Sequence, residues 1–224
     1  MERYWLSNIE GSRCSIERPL DVYHLSYVVK KQRGDKVLAC NHDQCVIFEI
    51  TTLLPHKVLG IHHRFSPITP VVPRILFGVS QLESKAFEAL CKQLLAMGVD
   101  MILPLACDNT HFAMNRLAKK ENVEVGQLLT LDQALASIEA KVFVLGHHPQ
   151  SMALEKALND SAKETDILFI VGPERGWSKA EIAYFEQNPV VKFVSLGDRV
   201  FRADTAALLA MGAIHNWRQK EVLT

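Results

Sequence analysis

The chain has 224 residues, enough for one large domain or two small ones, and its 25 lysines and arginines are balanced by 25 aspartates and glutamates. That balance excludes a global field drawing the chain to nucleic acid, although the first 70 residues hold a small cationic excess and most of the histidines, which mildly favours them as the polyanion-facing part. No run approaches the roughly 18 apolar residues of a membrane span, no signal core follows Met1, and five cysteines without paired C-x-x-C spacing argue against a disulfide framework or a zinc site and for a reducing cytosol.

Residues 1–65 read as short strands. Stretches 36–41 and 45–52 flank His42-Asp43-Gln44, a hairpin signal, and 57–64 is a further alternating stretch. Gly34-Asp35 marks a turn before the first of these. Several short strands in so few residues predict a small barrel. Lys30, Lys31, Arg33 and Lys36 crowd one turn and are the candidates for phosphate contacts; a solvated turn is the plain alternative. His62-His63 and His147-His148 are adjacent pairs, expected on opposite sides of a strand and therefore poor chelates, so no metal is expected.

Residues 66–73 hold three prolines and read as a stiff linker, which places a domain boundary at 68/69. Residues 74–79 form a short apolar strand, 84–97 a helix ended by Gly98, and 100–105 a second strand. This order predicts a right-handed parallel crossover.

Three β-loop-α units follow, over 141–159, 166–187 and 190–215. Their apolar runs 141–145, 167–171 and 190–194 are too short for globular helices and rich in β-branched residues. Such runs suit strands buried on both faces of a parallel sheet, with 167–171 and 190–194 read as neighbours. The loops after them lie at the carboxyl edge, where open α/β sheets bind ligands. The first loop is Gly146-His147-His148-Pro149, with Ser151 as the expected cap of the next helix. The second is Gly172-Pro173-Glu174-Arg175-Gly176-Trp177, followed by Ser178 and Glu181 as a capping box. The third, residues 196–202, carries Arg199 and Arg202, and Asp204 or Thr205 is its expected cap.

The second and third loops, G-P-E-R-G-W-S-K-A-E and L-G-D-R-V-F-R-A-D-T-A, together resemble the 16S rRNA uracil-N3 methyltransferases, a branch of the SPOUT class. The N-terminus is similar too, through Met1-Glu2-Arg3-Tyr4-Trp5, then His24 to Lys30 and Gly34 to Val37. The resemblance implies an α/β fold with a deep C-terminal trefoil knot and a small N-terminal PUA-like β-barrel that binds RNA. It implies S-adenosylmethionine as cofactor, 16S rRNA of the small ribosomal subunit as partner, a homodimer, no membrane and a cytoplasmic location. The chain departs from the family's pattern at five places, one of them the helix over 84–97, where Lys92 matches but the family's glutamate is replaced by an apolar or small residue. Lys30 and Arg175 stand for arginine and glycine, Asp204 stands for glutamate, and residues 107–129 lack the E-A-x-x-Q-x-x-R string.

On this reading the glycine-bearing loops let backbone groups approach the cofactor. Leu145, Gly146, Ile170, Gly172, Pro173, Gly176, Leu196, Gly197, Val200, Phe201 and Ala207 are the candidate cofactor residues. Deprotonating uracil N3 puts negative charge on the base, which Arg202, and after it Arg199, would stabilise; Glu174 is the candidate base. Arg3, Lys30, Lys31, Arg33, Lys36 and Arg175 are the RNA-binding candidates. Because N3 lies on the pairing edge, the target base must be unpaired. Two alternatives stay open: a SPOUT-fold RNA-binding or ribosome-assembly protein with weakened catalysis, and an enzyme of this class with another RNA target.

Overall fold

The structure is a computed structural model, and it describes residues 3–41, 43–66, 73–80, 84–110, 128–136, 138–161 and 165–222. The proline-rich boundary and the residues 111–127 lie outside the described residues. The N-terminal part holds β1 (Arg3–Trp5), β2 (Asn8–Glu10), β3 (Arg13–Ile16), α1 (Pro19–Tyr23), a π-type turn over His24–Val28, β4 (Lys36–Cys40), β5 (Cys45–Leu54) and β6 (Lys57–Phe65). Its strands form one sheet in the order β1-β4-β5-β6-β3-β2. All its pairings are antiparallel except β1 with β4.

The larger part holds β7 (Ile75–Ser80), α2 (Ser84–Ala96), β8 (Met101–Ala106), β9 (Leu129–Thr130), α3 (Leu131–Ala136), β10 (Ala140–Leu145), β11 (Met152–Ala153), α4 (Leu154–Asn159), β12 (Asp166–Val171), α5 (Lys179–Gln187), β13 (Val191–Ser195) and α6 (Ala203–Val222). Its seven strands are all parallel, in the order β11-β13-β10-β12-β7-β8-β9. Every residue of β7 and β12 is buried, as a sheet covered on both faces requires. Alternate side chains separate the two faces. Phe77, Phe143 and Phe169 meet α2, α4 and α6, while Leu76, Val142 and Leu168 share a core with α3, α5 and the N-terminal sheet. The apolar stripe of α6 is core at Met211, Ile214 and Trp217, and Leu209 is exposed.

Four sequence expectations are corrected here. β12 and β13 are not neighbours, because β10 pairs with both and lies between them. Ser151 does not cap α4: its hydroxyl donates to the Gly146 carbonyl and accepts from the His148 N–H, and the chain makes the short β11 before the helix begins. Asp204 sits inside the first turn of α6, where its carboxylate accepts from the Thr205 N–H at 2.7 Å. Cys40 and Cys45 are joined by a disulfide, their Cα atoms 4.0 Å apart where β4 and β5 pair. Cys14 and Cys107 are buried free thiols.

A buried charge network fastens the N-terminal elements to the amino edge of the parallel sheet. Arg74, 5% exposed, reaches Asp21 at 2.9 Å and Asp166 at 2.7 Å. Arg18 joins Asp166 at 2.6 Å while its guanidinium lies 3.8 Å over the Trp5 ring. Arg3 pairs with Asp100 and donates its backbone N–H to the Asp100 carbonyl at 3.1 Å. Arg3 is therefore buried in an ion pair, which corrects its expected place on an RNA surface. No helix among the described residues is long and apolar enough to cross a membrane.

Candidate functional site

The loops after β10, β12 and β13 converge on one cleft of about 780 Å³ at the carboxyl edge of the sheet. Volumes of about 300–1,000 Å³ suit small-molecule ligands. The strand order explains the convergence. β10 is flanked by β13 and β12, so three adjacent strand ends surround one point.

The first loop is locked inward. His148 stacks on Phe193 with centroids 3.9 Å apart, and its Nε2 is 3.1 Å from Glu186 Oε1. His147 Nε2 lies 3.1 Å from the Arg199 carbonyl, tying the first loop to the third. Both histidines lie beyond the end of β10 rather than on a strand.

The second loop turns at residues 173–176, where the Gly176 N–H donates to the Pro173 carbonyl at 2.9 Å. Gly176 has φ +74°, a left-handed conformation that favours glycine. The Trp177 indole lies against Gly172, and a Cβ at 172 would stand 2.7 Å from its Cε2. Phe185 meets the indole edge-on with centroids 5.0 Å apart. The capping box forms as the sequence predicts: the Ser178 N–H donates to Glu181 Oε2 at 2.7 Å, and the Glu181 N–H donates to Ser178 Oγ at 3.1 Å.

A fourth loop, leaving β8, reaches this same place. The Asp108 N–H donates to Glu181 Oε1 at 3.0 Å, Ser178 Oγ–H donates to Asp108 Oδ2 at 2.6 Å, and Asn109 Nδ2 donates to the Gly176 carbonyl at 2.9 Å. The Cys107 thiol beside them is pushed up by burial first and by the Glu181 and Asp108 carboxylates second, so it stays protonated.

At the mouth, Arg202 Nη2 lies 2.7 Å from Glu174 Oε1, joining the second and third loops through two exposed side chains. Exposure makes this pair a weak stabiliser, and either partner is free to exchange. Arg175 and Arg199 are also exposed at the cleft.

Of the residues singled out in the sequence, Leu145, Gly146, Gly172, Pro173, Glu174, Arg175, Gly176, Leu196, Arg199, Val200, Phe201 and Arg202 line the cleft. Ile170, Gly197 and Ala207 do not. Ile170 and Ala207 are wholly buried, Ile170 on the sheet face shared with α3 and α5 and Ala207 on the opposite one. Gly197 is exposed in a turn with φ +109°. Lys30, Arg33 and Lys36 are exposed on the N-terminal part, and Lys31 is half-buried. Among the lining residues that the sequence reading missed are His147, His148, Val171 and Trp177. The position of the two histidines directly after a strand and its glycine was the available signal.

Residues 118–215 match the family model of an RNA methyltransferase domain. The matched stretch is a little under half of the chain. The match includes every cleft-lining loop after β10, β12 and β13. A Ribosomal RNA small subunit methyltransferase E from Rickettsia conorii is 35% identical over 57 residues, 25% of this chain. That aligned segment spans about a quarter (23%) of the curated relative's length. A Ribosomal RNA small subunit methyltransferase E from Neisseria gonorrhoeae, solved bound to S-adenosylmethionine, matches with TM-score 0.54 and 19% identity over 97% of this chain and 98% of that one. A Legionella pneumophila protein solved with the same cofactor matches with TM-score 0.56 and 19% identity over 96% and 97%. At these identities the two structures establish a shared fold.

Proposed function

We propose that this protein is an S-adenosylmethionine-dependent methyltransferase acting on N3 of a uridine in 16S rRNA of the small ribosomal subunit. The observation that carries the reading is the convergence of three adjacent loops, all within the stretch that matches an RNA methyltransferase model, on one cleft with arginines at its mouth. The donor set fits the cofactor. Leu145, Leu196 and Val200 are apolar walls for an adenine, and the backbone at Gly146 is exposed to close approach. When bound, S-adenosylmethionine supplies an electrophilic methyl group.

The protein's own part is positioning and charge. Arg202 faces the uracil, where its guanidinium offsets the charge that grows on the ring as the N3 proton leaves. Glu174 is 2.7 Å from Arg202, which places its carboxylate beside the same spot, within reach of that proton. Arg175, Lys30, Lys31, Arg33 and Lys36 contact phosphates. The proposed architecture is an N-terminal PUA-like barrel over residues 1–68 and a knotted SPOUT domain over 69–224, paired as a cytoplasmic homodimer. The Glu174–Arg202 pair also favours a second reading, an RNA-binding protein in which the two groups only satisfy each other.

The test is transfer of labelled methyl from S-adenosylmethionine to small ribosomal subunits from a strain lacking the gene, followed by nucleoside analysis. N3-methyluridine is the expected product. Arg202→Ala should lower kcat about 100- to 1,000-fold, as removal of a charge-stabilising donor does. Glu174→Gln should lower it about 100-fold or more if the carboxylate moves the proton. No transfer with cofactor binding intact would point to another RNA target, and absence of cofactor binding as well would favour the second reading.

A further inference from the structure

We infer that Asp108 and Asn109 are positioning residues that hold the 172–177 wall of the cleft in its binding shape; the inference rests on the reading of that cleft as the S-adenosylmethionine site. β8 lies two strands from β12, with β7 between them, yet its loop is stitched to the loop of β12. Asp108 works from both ends. Its backbone N–H donates to one oxygen of the buried Glu181 carboxylate, and its own carboxylate accepts from the Ser178 hydroxyl. The other Glu181 oxygen takes the Ser178 N–H. Asn109 then reaches past the helix cap to the Gly176 carbonyl, on the exposed turn of the wall itself.

These contacts fix the residue on either side of Trp177. Ser178 is held by Asp108 and Glu181, and Gly176 is held by Asn109. The indole between them is thereby kept against Gly172, with its Nε1 4.0 Å from where a Cβ on Gly146 would stand. Without the latch, Gly176, whose backbone is the most permissive in the wall, is free to change conformation. The apparent affinity of a ligand falls by the fraction of molecules whose site is competent. The latch therefore acts on cofactor affinity; once cofactor fills the cleft the wall, with Glu174 in it, is in its competent shape and the charge chemistry with Arg202 is unchanged.

Asn109→Asp tests this with an isosteric change that turns the donor amide into an oxygen facing the Gly176 carbonyl. The expected result is a Kd for S-adenosylmethionine, by calorimetry, raised about three- to tenfold, the worth of one hydrogen bond. The KM for the cofactor should rise in step, with kcat at saturating cofactor and the melting temperature without cofactor unchanged. Asp108→Ala should behave like Asn109→Asp, and Asp108→Asn, which keeps an acceptor for Ser178, should behave like wild type. Wild-type affinity in both Asn109→Asp and Asp108→Ala would overturn the proposal, and so would a loss of affinity matched by a loss of melting temperature. If the wild-type protein binds no S-adenosylmethionine, the reading of the cleft fails instead. The latch is then decided by the indole N–H resonance of Trp177: a shift in Asn109→Asp upholds it, and an unmoved resonance overturns it.

Discussion

Replacing Gly172 with alanine is expected to cost the cleft most of its affinity for S-adenosylmethionine. The new Cβ would stand 2.7 Å from Cε2, 2.9 Å from Cζ2 and 3.1 Å from Nε1 of Trp177. The indole cannot retreat, because Phe185 backs it edge-on and is itself 1% exposed and set against Phe193. The open direction is into the cleft. Overpacking of this kind carries about 1–3 kcal/mol of strain. If expelling the indole relieves that strain, affinity falls about 10- to 100-fold, since each 1.4 kcal/mol is tenfold. Gly212→Ala in α6 is the control, because nothing lies within 4 Å of its added Cβ. It should leave binding alone and raise stability by about 1 kcal/mol, the helix preference for alanine over glycine. Calorimetric titration of both variants separates a cleft effect from a general one.

Arg74→Ala is expected to be the most destabilising single change among the described ion pairs. Asp21 is wholly buried and Asp166 is 5% exposed, and Arg74 bonds to both. The charged neighbours raise its pKa against the opposing effect of burial, so the guanidinium stays ionised. Removing it leaves the buried Asp21 carboxylate with the Trp5 N–H, and Asp166 with Arg18 and the backbone N–H of residue 74. Breaking a buried pair from one side costs about 3–5 kcal/mol, a large part of the roughly 5–15 kcal/mol that holds a domain folded. Because Asp21 belongs to α1 and Asp166 begins β12, the loss falls on the joint between the two sheets. Urea unfolding should show a lower midpoint. Arg74→Met combined with Asp21→Leu should recover much of the loss, since apolar replacement of a whole buried pair is tolerated better than removal of one partner.

The strands of the parallel sheet were legible because they are short, apolar and β-branched, and the observed bounds of β7, β10 and β12 differ from the predicted ones by one residue at most. Their lateral order was not. Strands buried on both faces carry no alternation that names a partner, so nothing in residues 141–145 said that they lie between 166–171 and 191–195. The Cys40–Cys45 bridge was hidden for a related reason. A hairpin was visible, but its register, which sets the two cysteines directly opposite, comes from the pairing of whole strands. Arg3 was misplaced because a cation near a terminus looks solvated until the partner, Asp100, arrives from a distant strand end. The capping box at Ser178 was readable, being wholly local. The second use of Glu181, as acceptor for Asp108, joins residues 73 apart and has no local signature.

The most direct measurement is a crystal structure of the protein grown with S-adenosylhomocysteine, the product of methyl transfer. The account predicts one molecule per chain in the cleft, its adenine between Leu145, Leu196 and Val200 and its backbone contacts from the loops after β10, β12 and β13. A ligand bound elsewhere, or a cleft that takes none at saturating concentration, would contradict it.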